Sequence, residues 1–109
     1  MDTILENLTQ ELKRGTLVLS VLLCTETPVY GYGLVTILQN IGVEIEQNTL
    51  YPLLRRLEKQ GLLDSTWDTA EARPRRYYVI SDRGRVLRGG LLKAWQTMNA
   101  AIKNMEEAL

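Results

Sequence analysis

The sequence predicts a mainly α-helical protein with one small β-hairpin and a long carboxy-terminal helix. Apolar residues recur at helical spacing along most of the chain, strand-like composition is confined to residues 62–67 and 75–80, and apolar residues follow a heptad pattern between positions 87 and 105. With 109 residues, 45% of them hydrophobic, the chain has the size of one domain with its own core. We therefore expect one compact unit, in which residues 1–80 include the hairpin and residues 81–109 form the long helix.

Two helices are expected before residue 43. The first is predicted from about Thr3 to Thr25, and its apolar second half indicates burial on several sides. Pro28 and the Tyr-Gly-Tyr-Gly segment at residues 30–33 interrupt the pattern. A second helix with apolar residues at helical spacing is then expected, and it ends near Asn40.

The third predicted helix combines an apolar side with a cationic outer side. Its apolar side consists of four leucines at helical spacing: Leu50, Leu53, Leu54 and Leu57. We expect Asn48 or Thr49 to cap this helix and Gly61 to end it, so that it runs from near residue 48 to near residue 60. Pro52 is expected in the first turn, where its fixed φ suits a helix. Such a helix can enter a DNA groove, although a solvated surface helix shows the same pattern.

A hairpin with a basic tip follows this helix. Leu62 to Trp67 and Arg75 to Ile80 have strand composition, and Asp68 to Pro74 is a polar turn. Three arginines lie at the end of the turn, and guanidinium groups suit phosphate oxygens: Arg73, Arg75 and Arg76. Two helices followed by a hairpin is the order of a winged helix-turn-helix. Solvation of the three arginines is the alternative interpretation.

The charges are distributed unevenly along the chain, although the net charge is zero. Residues 51–93 contain ten Lys and Arg against five Asp and Glu, whereas residues 1–50 contain two against six. Phosphate binding depends on the phosphates contacted and not on the total charge. The basic segment therefore predicts a local surface for nucleic acid.

The last predicted helix, roughly Ser81 to Leu109, carries a heptad pattern that is typical of a dimer. The pattern comprises Leu87, Leu91, Ala94, Met98, Ala101 and Met105, and Trp95, Ile102 and Leu109 widen it. We expect a homodimer, with a helix folded back onto its own domain as the alternative. Gly89 and Gly90 weaken the helix by about 1 kcal/mol each relative to alanine, which predicts close packing or a bend. Ser81 or Asp82 is expected to cap the helix.

The residue inventory argues against an enzyme and against a metal or cofactor site. The chain has no histidine, which removes the commonest general base and the usual zinc ligand sets. Cys24 is the only cysteine, so no intramolecular disulfide is possible, and its apolar neighbours predict a buried, inert thiol. No secretory signal pattern and no stretch of 18 apolar residues occurs, which predicts a cytoplasmic protein without membrane contact.

Several short motifs occur together in one order. Tyr-Gly-Tyr-Gly at residues 30–33 precedes Thr-Leu-Tyr-Pro at 49–52 and Leu-Glu-Lys-Gln-Gly-Leu at 57–62, and Arg-Arg-Tyr-Tyr-Val-Ile-Ser-Asp-Arg-Gly occupies residues 75–84. In this combination the sequence resembles the PadR family of bacterial transcription regulators over about residues 12–105. The resemblance implies a winged-helix fold, a homodimer built from the first and last helices, and repression of genes for detoxification or multidrug efflux.

The resemblance and the helix geometry together nominate a set of DNA-binding residues. Four residues of the third helix would contact a groove of double-stranded DNA: Asn48, Thr49, Tyr51 and Arg55. The wing arginines Arg73, Arg75 and Arg76 would contact flanking phosphates, and Tyr30 completes the set. Because a homodimer has two-fold symmetry, the operator is expected to be an inverted repeat. Leu87, Leu91, Ala94, Met98, Ile102 and Met105 are the predicted dimer contacts.

The chain is also similar to the small multidrug-sensing members of this family. In those members a tryptophan on the last helix binds planar drugs at the dimer axis, and Trp95 occupies the matching place, with Leu91 and Met98 as expected neighbours. This resemblance implies planar aromatic or cationic small molecules as ligands. Those members hold the drug in a flat central pore of the dimer. The chain departs from their pattern at residues 89–92, Gly-Gly-Leu-Leu, where they have bulkier or aromatic residues, and this difference would change the width of the pore. A winged helix used only for protein association, without ligand sensing, is the alternative function.

Overall fold

In the computed structural model, which describes residues 2–109, the chain forms helices and one antiparallel sheet. The elements are α1 (Thr3–Arg14), α2 (Leu17–Leu23), β1 (Val29–Tyr30), α3 (Gly31–Asn40), α4 (Gln47–Lys59), β2 (Leu63–Asp68), β3 (Arg75–Ile80) and α5 (Asp82–Glu107). This is the predicted fold class, a winged helix-turn-helix with a long carboxy-terminal helix. None of the described helices is long and apolar enough to cross a membrane.

The first predicted helix is in fact two helices, separated at Gly15 and Thr16. The Thr16 backbone N–H donates to the Lys13 carbonyl at 3.2 Å, and the Thr16 hydroxyl donates to the same oxygen at 3.0 Å. This tighter bonding replaces the regular helical pattern next to a glycine, the weakest ordinary helix former. The break separates α1, which contains no buried residue, from α2, which buries Leu19, Val21 and Leu22.

The predicted hairpin is present, and a third strand adds to it. β3 lies between β1 and β2, and it is antiparallel to both. Leu63 pairs with Ile80 at the base of the hairpin, and Asp68 pairs with Arg75 at its tip. β1 contains only two residues and was not predicted, because it is stabilised by pairing with residues far along the chain. We call the β2–β3 hairpin the wing.

The core is built on the leucine side of α4. All four leucines predicted for this side are buried, and they pack with buried residues of α2, α3 and the wing: Leu22, Leu34, Leu38, Leu63 and Ile80. Full burial of one such side chain contributes roughly 1.5–3 kcal/mol. The outer side of α4 is thereby directed away from the core.

The amino terminus of α4 differs from the prediction in its capping. Glu46 is the N-cap and makes no side-chain capping bond, whereas Asn48 and Thr49 lie inside the helix. Pro52 follows in the second turn and not in the first. Asn48 and Thr49 are both exposed, so their polar side chains are free of a capping role and face outward. The predicted end is confirmed, since Gly61 has a φ of +80°.

α5 is joined to the rest of the fold by its first two turns. Ser81 caps it as predicted, because its Oγ accepts from the Gly84 N–H at 3.0 Å and donates to the Gly61 carbonyl at 2.6 Å. Glu26, in the loop after α2, accepts from Arg88 at 2.6 Å and from Arg85 at 3.5 Å. The hydrogen bond from Arg88, together with the charge of Arg85, lowers the pKa of the Glu26 carboxyl. These bonds link α5 to the α2–β1 loop.

α5 continues as a helix through Gly89 and Gly90. A Cβ built at either residue would meet no atom of the described chain within 4 Å, so neither glycine packs closely against its own domain. The predicted close packing at these two residues is therefore absent within one chain.

Candidate nucleic-acid interface

The outer side of α4 presents polar and basic side chains to solvent. Asn48, Thr49 and Arg55 are exposed, as expected for groove contacts. Tyr51 is half-buried, and its ring lies against the amino terminus of α3, where a Cβ at Gly31 would be 2.6 Å from its Cε1 atom. The ring therefore occupies space that is available only because residue 31 is a glycine.

A group of tyrosines lies beside α4, at the junction of β1, α3 and β3. The rings of Tyr30 and Tyr32 are stacked at 6.5 Å, and those of Tyr30 and Tyr77 are tilted at 5.8 Å. The second glycine of the motif makes room for this group, since a Cβ at Gly33 would be 2.9 Å from Cε1 of Tyr30. In the Tyr-Gly-Tyr-Gly motif, each tyrosine is thus followed by a glycine whose missing side chain leaves room for a tyrosine ring.

Two of the three wing arginines are directed to the surface. Arg73 is exposed. The guanidinium of Arg75 lies over the Tyr30 ring, 4.8 Å from its centroid, and is 4.0 Å from the carboxylate of Glu71. An ion pair this exposed contributes little to stability, so Glu71 does not hold the Arg75 guanidinium in place. Both guanidinium groups are available to an anionic ligand.

Arg76 differs from these two arginines because it is directed toward α4. Its Nη2 donates to Glu58 at 2.5 Å, and its Nε donates to the Ser65 Oγ at 3.1 Å. Its guanidinium carbon lies 5.7 Å from the Trp67 ring and 5.5 Å from the Tyr78 ring. This arrangement was not predicted from the sequence, because Glu58 lies 18 positions before Arg76.

A groove between α4 and the wing brings together most of the predicted DNA-binding residues. It has a volume of about 680 Å³, and its lining includes six of them: Tyr30, Tyr51, Arg55, Arg73, Arg75 and Arg76. Asn48 and Thr49 line neighbouring concave surfaces at the other end of the α4 outer side. Trp67, which is 61% exposed, also lines the groove. The groove is thus basic and aromatic, as a surface for phosphates and bases requires.

The residues predicted for a dimer and a ligand lie on a different surface. Leu87, Leu91, Ala94, Met98, Ile102 and Met105 are all exposed on α5, and we call this set the α5 stripe. Trp95 is 41% exposed beside it. A second exposed apolar set lies on α1: Ile4, Leu5, Leu8 and Leu12. Large apolar side chains in this number are unusual on a monomer surface.

The described residues give no support to metal or thiol chemistry. Within residues 2–109, no group of three or more His, Cys, Asp or Glu side chains is placed to hold a metal ion. Cys24 is half-buried, and burial raises the pKa of its thiol. The thiol is therefore more fully protonated at neutral pH than an exposed cysteine, and it is a poor nucleophile.

Comparison with known proteins points to one family. Residues 18–89 match the family model described as the transcriptional regulator PadR-like family. A crystal structure of a PadR family transcriptional regulator from Eggerthella lenta is similar, with 42% identity, a TM-score of 0.92 and coverage of 97% of this chain and 95% of that one. The transcriptional regulator Rv3488 of Mycobacterium tuberculosis is 38% identical over 60 residues, which are 55% of this chain and 56% of that protein.

A further structural relative was solved together with nucleic acid. It is Bacillus subtilis PadR in complex with operator DNA, with a TM-score of 0.64 and 17% identity over 71% of this chain and 45% of that one. At this identity the likeness concerns the fold.

Proposed function

This chain belongs to the PadR-like family of transcriptional regulators, and we propose that it binds double-stranded DNA as a homodimer at an inverted-repeat operator. The observation that carries this proposal is the arrangement of the exposed α4 residues and the surface arginines of the wing around one groove. Bacillus subtilis PadR, which has the same fold, was solved with operator DNA.

α4 is the recognition helix in this proposal. Asn48, Thr49, Tyr51 and Arg55 contact base edges and sugars in the major groove, with Tyr30 beside them. Arg73 and Arg75 contact flanking phosphates, which fix the position of the protein on the duplex. The basic wing and the polar outer side of α4 together supply the two kinds of contact that a sequence-specific complex needs.

The α5 stripe and the apolar side of α1 form the dimer interface in this proposal. Burial of the exposed apolar side chains of the α5 stripe and of α1 would favour association, against the cost of lost translational and rotational freedom. Two-fold symmetry then presents two copies of α4 to the two halves of the operator. The half-site centres would lie about 34–36 Å apart, or a multiple of that distance.

A ligand bound at the dimer axis would regulate DNA binding. Trp95, with Leu91 and Met98 near it on the same helix, is exposed in the single chain and would face its symmetry mate in the dimer. A planar aromatic or cationic molecule held there would release DNA, provided that it binds the two dimer geometries with different free energies. The regulated genes would then be repressed detoxification or multidrug-efflux genes.

Titration of DNA with an Arg55 variant tests the proposed DNA contact. Arg55→Ala should weaken binding to DNA from the upstream region of its own gene by about 1–3 kcal/mol in a mobility-shift titration. Lys103→Ala, which removes one exposed charge on α5 far from α4 in sequence, is the matched control and should leave the affinity unchanged. Equal affinities for wild type and Arg55→Ala would remove Arg55 from the interface. A weak dependence of wild-type binding on salt would favour a protein-association module, because DNA binding falls steeply with salt.

A further inference from the structure

Three side chains join the recognition helix to both strands of the wing. Glu58 lies in the last turn of α4, Ser65 lies in β2 and Arg76 lies in β3. One Glu58 carboxylate oxygen accepts from Arg76 and the other accepts from the Ser65 hydroxyl. Ser65 in turn accepts from Nε of Arg76, so that the three bonds form a closed ring. We call these three residues the Glu58 network.

The surroundings of Arg76 hold its guanidinium in this orientation. Its side chain is 33% exposed and that of Glu58 is 27% exposed, so both charges are partly shielded from water. The Trp67 and Tyr78 rings lie within 6 Å of the guanidinium carbon, which is the range of cation–π attraction. Charge-assisted hydrogen bonds under partial burial are stronger than those between exposed side chains. Arg76 is therefore oriented by contacts on several sides.

The position of the network determines where the surface arginines lie. β3 is an extended strand, so successive side chains point to opposite faces of the sheet. Arg76 and Tyr78 share the face toward Glu58, whereas Arg75 shares the other face with Tyr77 and lies over Tyr30. Fixing Arg76 against α4 consequently fixes Arg75, and with it the end of the turn that carries Arg73.

We propose that Arg76 is a positioning residue and not a phosphate contact, and that the acidic residue Glu58 strengthens DNA binding by holding the wing at a set angle to α4. The inference rests on the proposed DNA-binding function. It opposes the simple electrostatic expectation, in which a carboxylate on a basic surface repels phosphate and its removal improves affinity.

The experiment compares conservative variants that retain side-chain size. Glu58→Gln, Arg76→Gln and the double variant are titrated against duplex DNA that the wild-type protein has selected from a random-sequence pool, at several salt concentrations. Arg73→Gln is the matched comparison, because it removes the same charge from a surface arginine that is proposed to contact phosphate. Ser65→Ala removes only the hydroxyl and supplies a milder test should either charge substitution unfold the protein, which thermal unfolding would reveal.

The proposal predicts both the direction of each effect and its salt dependence. Glu58→Gln and Arg76→Gln should each weaken binding by about threefold to tenfold. The loss of affinity in the double variant should not exceed the product of the two single losses, as expected for residues of one network. Neither substitution should change the slope of log Kd against log salt. Arg73→Gln should lower that slope by about 0.9 for each phosphate that a subunit no longer neutralises.

Two results would overturn the proposal. Tighter DNA binding by Glu58→Gln would mean that Glu58 acts by repulsion, and a lowered salt slope for Arg76→Gln would make Arg76 a phosphate contact. Failure of the proposed function would differ from both results, because the wild-type protein would then select no sequence. In that case the network itself is tested by hydrogen exchange of the wing amides, which Glu58→Gln should accelerate in the free protein.

Discussion

The ring of Tyr51 can pack against the amino terminus of α3 because residue 31 is a glycine. A second close approach that requires a glycine occurs at the start of α5. A Cβ at Gly84 would lie 2.2 Å from the Leu62 carbonyl oxygen and 2.7 Å from Cγ1 of Ile80. A side chain at residue 84 would displace the Leu62 carbonyl group, and with it the loop between α4 and the wing. Gly84 is accordingly the one residue of α5 that is buried.

Substitution of Gly84 tests this close approach. Gly84→Ala should lower the free energy of unfolding by about 1–3 kcal/mol, because the added methyl group overpacks the junction. Gly89→Ala, in the same helix but with no atom of the chain within 4 Å of its Cβ, is the matched control and should raise stability by up to about 1 kcal/mol. Urea unfolding of both variants at one protein concentration measures the difference. Equal stability of Gly84→Ala and wild type would contradict the observed packing.

At the scale of elements, the sequence predicted those helices and strands whose patterns are long and strong. α4 and α5 have sustained apolar periodicity, and the wing has clear strand composition, so all three were predicted within a few residues. The break between α1 and α2 was missed because the apolar pattern continues across Gly15. β1 was missed because a two-residue strand depends on its partner.

The candidate site was predictable in its residue types but not in its internal bonds. The outward positions of Asn48 and Arg55 follow from the leucine spacing of α4. The orientation of Arg76 does not follow from any local pattern, because Glu58 and Ser65 reach it only after the wing has folded onto α4. The sequence pattern alone therefore groups Arg76 with the other two arginines as one basic tip.

The attachment of α5 to the α2–β1 loop predicts a pH dependence of stability. The pKa of Glu26 is lowered in the folded protein, above all by the hydrogen bond from Arg88. A lowered folded-state pKa gives stabilisation that is present at neutral pH and is lost as the pH falls through that pKa. Glu26→Gln should thus be less stable than wild type at neutral pH, and the two should converge in acid. A difference in urea midpoint that is constant with pH would contradict this role.

At the scale of the whole molecule, the apolar side chains left exposed on α1 and α5 predict self-association. Met98→Glu places a charge in the middle of the α5 stripe, where its burial in a dimer would be costly. The variant should sediment as a monomer at concentrations where the wild-type protein is a dimer. Lys103→Glu, which introduces the same carboxylate on the same helix outside the α5 stripe, is the control and should leave the dimer intact. A wild-type protein that sediments as a monomer at micromolar concentration would contradict the proposed dimer.

The proposed ligand sensing requires that Trp95 lies at the axis of the proposed dimer. Planar aromatic cations or phenolic compounds should quench tryptophan fluorescence of the wild-type protein, since stacking places them against the indole ring. Trp95→Phe should remove the quenching, whereas Trp67→Phe should retain it. Quenching that persists in Trp95→Phe and disappears in Trp67→Phe would place the ligand in the groove beside the wing and not at the dimer axis.

Selection of duplex DNA from a random-sequence pool by the purified wild-type protein, followed by sequencing, tests the central claim most directly. A dimer that presents two copies of α4 should enrich an inverted repeat whose half-site centres are about 10–10.5 base pairs, or a multiple of that spacing, apart. A pool that stays random, or that yields a single half-site without symmetry, would contradict the account.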